Sequence, residues 1–474
     1  MTMHGSDRAA VGTTRHSFPR EAGPLTGPKP MNVLAMTCGF AVLIGFAALF
    51  IVSPKTYHSV IDLWSFVPFD YPFIDAEYTS TQIECWRKGV DVYVANPCDA
   101  LERVQNLPPI WLHLPFWPSD KNWTNILGLT IDSVFLLSLM ALPPPRCARD
   151  AIPVLMFLIS SSFIFALERA NQDLIIFVLI IIAILLLERS IAARLLGYAA
   201  IVVATLLKIY PVVLLILLLR EHFRTFLVVM VGAVGIIFGY GLSHRHELLA
   251  AMANLPIPAT FAFGFGASRL PDAMGTLMAH LTRAPDVGSG VATGLESSPV
   301  WYIATYLVML GATCFIAIRI AASESFGFAL IGLTMRESLC LLSGAAVICG
   351  CFFAGTSQFY RGVFLLLALP GLFAMARTSP SLRVAWVTRL TGCISLLLMF
   401  EMPVQRLVRD VFGRFQNGVS FLGWMSFELL WWWVVAALLA ILLRYAFTSQ
   451  TFYDVTNRLL GAGSARAIIA DGER

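Results

Sequence analysis

Charge is what this chain of 474 residues has least of: Asp, Glu, Lys and Arg make up 13% of it, against about 25% in an ordinary soluble domain. That deficit excludes a soluble enzyme of usual composition. Disorder is excluded too, because it combines low hydrophobicity with high net charge, whereas 58% of these residues are hydrophobic and the net charge is +4. Paired cysteines are also missing. The nine Cys include no Cys-x-x-Cys, so neither a zinc site nor a dithiol redox site is expected. Most of them lie in apolar runs, where a thiol packs as a small hydrophobe. Cys85 and Cys98 instead share one polar loop. In an oxidising compartment a disulfide could close that loop, although spacing alone does not decide its geometry.

Signatures of water-soluble substrates are absent as well. There is no Gly-x-x-x-x-Gly-Lys phosphate loop, and Gly264-Phe265-Gly266 and Gly461-Ala462-Gly463 lack the third glycine of a dinucleotide fingerprint. His246-Glu247 is followed by Ala250, where a zinc-protease helix needs its second His. No Asp-x-Asp pair of the kind that holds a metal-bound sugar nucleotide is found. No cofactor, metal or nucleic-acid partner is therefore expected, although a divalent ion is not excluded.

What the chain does have is apolar length, with a mean hydropathy of +0.75. Its 11 Trp and 34 Phe suit helices anchored at two membrane interfaces. A polar N-terminal tail (1–31) precedes an apolar run from about Asn32 to Val52, which is long enough to span and lacks an obvious cleavage site, so it reads as a retained signal anchor. Further runs fall near 124–142, 151–167, 174–187, 195–207, 211–219, 225–243, 300–318, 338–354, 363–376, 384–402 and 420–443. The sequence predicts an all-α, polytopic bundle of about twelve transmembrane helices over 32–446, followed by a tail (447–474) that reads as flexible or interfacial.

With the N-terminus in the cytoplasm, Arg146, Arg149, Arg189, Arg194, Arg220, Arg224, Arg319, Arg336, Arg377, Arg383, Arg389 and Arg444 fall in cytoplasmic connections, as the positive-inside rule requires. Both termini are then cytoplasmic. Two long loops, 53–123 and 244–299, face outward, and the first is acid-rich. Its aromatic cluster at Trp64, Phe66, Phe69, Tyr71 and Phe73, and the run Pro108-Pro109-Ile110-Trp111-Leu112, predict short interfacial helices. No repeat is evident, nor an inverted pair of Gly/Pro-broken helices of the transporter kind.

In lipid an ionisable residue costs roughly 2.5 to 3.5 kcal/mol at a helix centre, so its position is informative. This orientation places Glu168-Arg169-Ala170-Asn171-Gln172-Asp173, Lys208-Ile209-Tyr210-Pro211 and Gly355-Thr356-Ser357-Gln358-Phe359-Tyr360-Arg361 at outer helix ends, and Asp75 in the first outer loop. Four separated segments thus deliver carboxylates and cations to one face. Each has a plainer reading: Arg169 or Lys208 could snorkel to headgroups, and Asp75 could N-cap a helix from about Ala76 to Lys88 ended by Gly89. Asp132 and Glu428 lie inside spans. Asp132 is expected to face the bundle interior, with no role assigned.

The early Asp followed by Gly89-Val90-Asp91-Val92-Tyr93-Val94-Ala95-Asn96-Pro97-Cys98-Asp99, the Glu-Arg-x-Asn-x-Asp turn at Glu168, the Lys-x-Tyr-Pro turn at Lys208 and the Tyr360-Arg361 turn resemble integral-membrane glycosyltransferases of the C-type fold. The similarity is greatest to the bacterial polyprenyl-phosphate-mannose-dependent mannosyltransferases, and it covers about residues 32 to 445. The resemblance implies a hexose, mannose by analogy, carried on polyprenyl phosphate and passed with inversion to a glycolipid or glycan acceptor at the outer face of a bacterial inner membrane. It implies Asp75 as general base, with Asp70 as fallback. Arg169, Lys208 and Arg361 would bind the donor phosphate, and Glu168, Asn171, Asp173, Tyr210 and Tyr360 would bind or orient substrate. In one place the chain departs from the pattern, with Ala170 where the family turn has Gly. The rival readings are a transporter or lipid-linked sugar flippase, a structural subunit of an envelope polysaccharide machine, and an oligosaccharide ligase or phospho-group transferase acting on lipid carriers.

Overall fold

The computed structural model describes residues 30–66, 69–145, 148–255, 264–282, 298–412 and 418–459. Arg146, Gly461-Ala462-Gly463, nearly all of the N-terminal tail, the end of the C-terminal tail and parts of the second long loop lie outside them.

The chain folds as helices throughout. The first, α1 (Pro30–Val52), leads to the short α2 (Pro54–Ile61), α3 (Ile74–Arg87), α4 (Thr124–Ser138), α5 (Ala148–Phe157), α6 (Ser161–Arg169), α7 (Gln172–Leu187) and α8 (Ile191–Leu207). A 3₁₀ helix, Tyr210–Arg220, precedes α9 (Phe223–Ser243), α10 (Arg245–Ala253), strand β1 (Gly264–Phe265), α11 (Arg269–Thr282), α12 (Pro299–Ala321), α13 (Glu324–Ile331) and α14 (Met335–Ala354). Strand β2 (Ser357–Gln358), a 3₁₀ segment at Phe359–Phe364, α15 (Leu365–Thr378), α16 (Leu382–Met399), α17 (Glu401–Phe412) and α18 (Gly418–Phe447) complete the order.

This is a multi-pass membrane protein. Among the described residues eight helical stretches are long and apolar enough to cross a bilayer, or nine if α5 and α6, bent by 48° at their break, form one span. The predicted count of twelve is not reached. The remaining three apolar runs form α7, α8 and Tyr210–Arg220, of 16, 17 and 11 residues, each shorter than the roughly 20 residues that a bilayer core asks of a helix. α7 and Tyr210–Arg220 pack beside α14, and α8 packs on both of them. α14 and α15 are enclosed by other helices, whereas α9 and α12 leave most of their apolar surface outward.

The bundle has two polar ends. At one, Arg336 forks onto Glu188 at 2.8 and 2.6 Å, and Arg194 onto Glu221 at 2.8 and 3.0 Å; Arg377 pairs with Asp150. Such bidentate pairs join chain-distant connections on a single layer. Because α8 and α14 start at this end and α7 and α15 finish at it, their opposite termini, at Asp173, Lys208, Ala354 and Leu365, share the other.

The first long loop is folded onto that second end. Cys85 and Cys98 form a disulfide, with Cα atoms 5.9 Å apart. The Trp111 indole donates to Leu207 O at 2.9 Å, and Trp111 and Leu112 are buried. The run falls on a short 3₁₀ helix, Pro109–His113, in which the indole buries its ring and satisfies its N–H against the bundle. The C-terminal tail is likewise not free as far as it is described. Residues 450–459 are helical, Thr451 donates to Glu221 O at 2.7 Å, and Asp454 accepts the Phe223 N–H at 3.0 Å.

Candidate functional site

The hexapeptide from Glu168 to Asp173 joins two helices with no spare residue. Ala170 ends α6 in the left-handed region, at φ 47° and ψ 52°. Its N–H and that of Asn171 reach back to Leu167 O and Ala166 O, at 2.9 and 3.1 Å, the paired bonds of a Schellman motif. Asn171 then N-caps α7, accepting the Asp173 N–H at 2.9 Å. A polar turn this tight aims Glu168, Arg169, Asn171 and Asp173 from one point.

Asp75 is not an N-cap. Phe73, left-handed at φ 66°, holds that position, and Asp75 follows inside the first turn of α3; Gly89, at φ 79°, closes the helix beyond Arg87, as predicted. The Phe73 N–H donates to Glu168 O at 2.7 Å, which docks the start of α3 on the turn. The Phe73 ring lies against Gly128 of α4, where a Cβ would come within 2.2 Å of it. Only glycine allows that approach.

Two carboxylates organise the site. Asp75 Oδ2 accepts from Asn171 Nδ2 at 2.6 Å, and its Oδ1 faces Arg169 and Arg103 at 3.5 and 3.6 Å. Gln172 donates to Asp75 O and to Thr79 Oγ1, each at 2.8 Å. Asp173 is fully buried; it pairs with Lys208, accepts from the Tyr210 hydroxyl at 2.9 Å, and has Arg361 at 3.9 Å. Arg361 also stacks over Tyr210, and Arg169 over Phe165 and Phe69. The Tyr360 hydroxyl lies in the field of Asp75, Asp173, Arg169 and Arg361. The carboxylates form the floor, while the Arg169 and Arg361 side chains keep 18% and 19% of their surface open above it.

Every proposed site residue except the fallback therefore meets at one end of the bundle. Asp70 is exposed on the bend before α3, outside the cluster. Three contributors escaped the sequence reading: Arg103, Gln172 and Tyr57. Arg103 forks onto Asp99 at 2.7 and 2.8 Å and donates to Ile74 O at 3.0 Å; burial opposes its charge, but Asp99 and Asp75 outweigh that and hold its proton more tightly than usual. The Tyr57 hydroxyl faces the Glu168 carboxylate, and burial, followed by the charge of Glu168, pushes its pKa up. Arg103 lies in the acid-rich first long loop and carries no motif, so only the fold reveals it.

Around this site β1 pairs antiparallel with β2, Gly264 opposite Gln358 and Phe265 opposite Ser357, which brings the second long loop beside Arg361. Glu401 accepts from Trp431 at 3.1 Å and Gln405 at 2.6 Å, and the charges of Arg269 and Glu401 act on the buried Glu428. The cavity lined by Asn32, Pro144, Asp150 and Arg377 lies at the opposite end. Among the described residues no group of three His, Cys, Asp or Glu is placed to hold a metal. No protein-family model, curated protein or solved structure matches the chain.

Proposed function

We propose that the chain is a polyprenyl-phosphate-dependent membrane glycosyltransferase, moving a hexose, mannose in our reading, to a glycolipid or glycan acceptor. The observation that carries this is the convergence of Asp75, Arg169, Lys208 and Arg361, from four separate segments, on one end of an apolar bundle. A lipid-borne phosphate would enter such a site from the bilayer, with its sugar toward Asp75.

In this mechanism Asp75 takes the proton of the acceptor hydroxyl, whose oxygen attacks the anomeric carbon as the bond to phosphate breaks, with inversion. Negative charge grows on the departing phosphate. Cations fixed in a partly desolvated site stabilise it better than water does, Arg169 and Arg361 through paired N–H groups and Lys208 as a point charge. Asn171 and Gln172 hold Asp75 in place, while Asp173 and Tyr210 hold the cations. The face carrying the site is assigned to the periplasm of a bacterial inner membrane, with both termini cytoplasmic; the Cys85–Cys98 disulfide suits that compartment.

A specific observation favours a second reading, a transporter or lipid-linked sugar flippase: Asp132, at membrane depth, has both carboxylate oxygens without a hydrogen bond. Transfer of labelled sugar from a panel of polyprenyl-phosphate sugars by purified protein in lipid separates the two. Product formed by the parent and lost in Asp75→Asn supports the transferase. Lipid-linked sugar moved across vesicles without any product would replace it with the flippase.

A further inference from the structure

Arg361 stands on the 3₁₀ segment Phe359–Phe364, directly after β2, so its aim depends on what holds β2. Its contact with Asp173, at 3.9 Å, is longer than a hydrogen bond and does not lock its direction. The second long loop supplies the missing constraint. β1 pairs with β2, and the Ala267 N–H, just beyond β1, donates to Phe352 O at 2.7 Å. Between these bonds the two backbones touch. Gly266, at φ 150°, lies so close to Gly355 that a Cβ on it would come within 2.8 Å of Gly355 O and 3.1 Å of Thr356 Cα. Only glycine allows both that conformation and that approach. The stretch from Gly264 to Ala267 is thus laid on the stretch from Phe352 to Gln358 that leads into Arg361.

Two side chains hold β1 in turn. The Phe265 ring packs on Phe352 and Trp431, with centroids 5.6 and 4.6 Å away. Arg269, at the start of α11, folds back over Gly264: a Cβ on that glycine would stand 2.5 Å from Arg269 Nε and 2.6 Å from Cζ. The guanidinium therefore occupies the place of the side chain that Gly264 lacks. Its Cζ lies 5.9 Å from the centre of the Trp424 ring. Trp424 and Trp431, at i and i+7, share one face of α18. Arg269 thus bridges β1 to the face of α18 that also receives Phe265.

A guanidinium buried to 1% exposure is costly unless opposite charge is near. The charges of Glu428, Glu401 and Asp272 all act on Arg269. Glu428 and Glu401 are buried on α18 and α17, and Glu401 is itself held by Trp431 at 3.1 Å and Gln405 at 2.6 Å. This attraction keeps the guanidinium pressed on Gly264, which an apolar side chain of the same length would not be.

We propose that Arg269 is a positioning residue for the phosphate of the lipid-linked donor: through Gly264 and the β1–β2 pair it sets where Arg361 points. Being buried, it does not touch substrate. The positioning rests on the reading of Arg361 as a phosphate ligand, whereas the clamp of the second long loop on the Arg361 segment stands on the contacts alone.

The test uses the full chain in lipid nanodiscs and Arg269→Met, which keeps the length and removes the charge. Backbone hydrogen exchange, read by mass spectrometry, should speed up about tenfold in peptides covering 355–364 and stay as in the parent over 168–187. With the polyprenyl-phosphate sugar that the parent accepts, the variant should raise the donor KM about fivefold, and in an Arg361→Ala background it should add nothing. A purely structural role would lower kcat with the amount of folded protein, leave the donor KM alone and add to Arg361→Ala. If Arg269→Met fails to fold, Gly264→Ala, whose methyl displaces the guanidinium from β1, should give the same pattern in smaller measure. Unchanged exchange over 355–364 overturns the clamp. Faster exchange with the donor KM unchanged, or with losses that add to those of Arg361→Ala, overturns the positioning. Faster exchange in a protein that transfers sugar from no donor in the panel sustains the clamp and removes the transferase reading, and the positioning with it.

Discussion

Asn171 donates its side-chain amide to Asp75 Oδ2 at 2.6 Å. The same amide accepts the Asp173 N–H, so one residue caps α7, orients Asp75 and separates the two carboxylates. Its oxygen is used by the cap and its nitrogen by Asp75, which leaves it no freedom to rotate.

Asn171→Asp tests that arrangement directly. Aspartate still caps α7, so stability should change little, but it sets a second carboxylate against Asp75. Like charge makes Asp75 harder to ionise, so the acid limb of the kcat/KM profile should move to higher pH. A limb that stays in place would mean that Asp75 is not the group being titrated. Asn171→Ala should lose about 1 kcal/mol of cap and, by removing a donor to the Asp75 carboxylate, move the limb the same way but by less.

Asp75→Asn should keep the protein folded and inserted, because the Asn carbonyl can still accept from Asn171. Removing a general base typically costs about 10²- to 10⁴-fold in rate. Transfer of labelled sugar should fall by that much, with donor KM largely unaffected; unimpaired turnover would discard the assignment.

How much of this was legible in the sequence depends on the distance over which each feature is decided. Polar turns at the ends of apolar runs stand out because an ionisable residue is costly in lipid, so Glu168–Asp173, Lys208 and Arg361 could be named, as could Asp132 as an interior residue. The pairing of Lys208 with Asp173, 35 residues away, and of Arg103 with Asp75 is set by how helices pack. No local pattern records that. Span count turns on a related point: α7, α8 and Tyr210–Arg220 are apolar, and their shortness sets them apart from the eight longer helices.

The Asp173 cluster predicts a separation of stability from activity. Lys208→Met leaves a fully buried carboxylate short of one cation, and breaking such a pair costs about 3 to 5 kcal/mol. Tyr210 at 2.9 Å and Arg361 at 3.9 Å remain, which puts the expected loss at the lower end. Adding Asp173→Asn should restore most of the melting temperature without restoring transfer. Arg361→Ala, a longer and more open contact, should cost little stability yet weaken donor use; unchanged donor kcat and KM would remove it from the phosphate site.

The disulfide should matter through the unfolded chain. Cys85 and Cys98 are 13 positions apart, and closing a loop of about that size is worth about 3 kcal/mol in the chain-entropy account. Cys85→Ser with Cys98→Ser, or reduction of the parent, should lower thermal stability accordingly. The crosslink also fixes Cys98, next to Asp99, which anchors Arg103 beside Asp75, so kcat should fall as well. A loss of stability with kcat intact would show that Arg103 keeps its place without the crosslink.

Ala170 stands where glycine would be expected, at φ 47°. A left-handed L-residue costs roughly 1 to 2 kcal/mol. Ala170→Gly relieves that, but gives back about 0.4 to 1 kcal/mol in unfolded-chain entropy and loses a buried methyl worth about 0.8 kcal/mol. These terms nearly cancel. The variant should melt within about 1 kcal/mol of the parent and retain transfer, since the Schellman bonds use only backbone. Ala170→Val should behave oppositely, because a β-branched residue is poorly tolerated at positive φ and this position is fully buried. Its turn would open, Asn171 would lose Asp75, and both melting temperature and kcat should drop. An Ala170→Val protein as stable and active as the parent would mean that the turn is not left-handed.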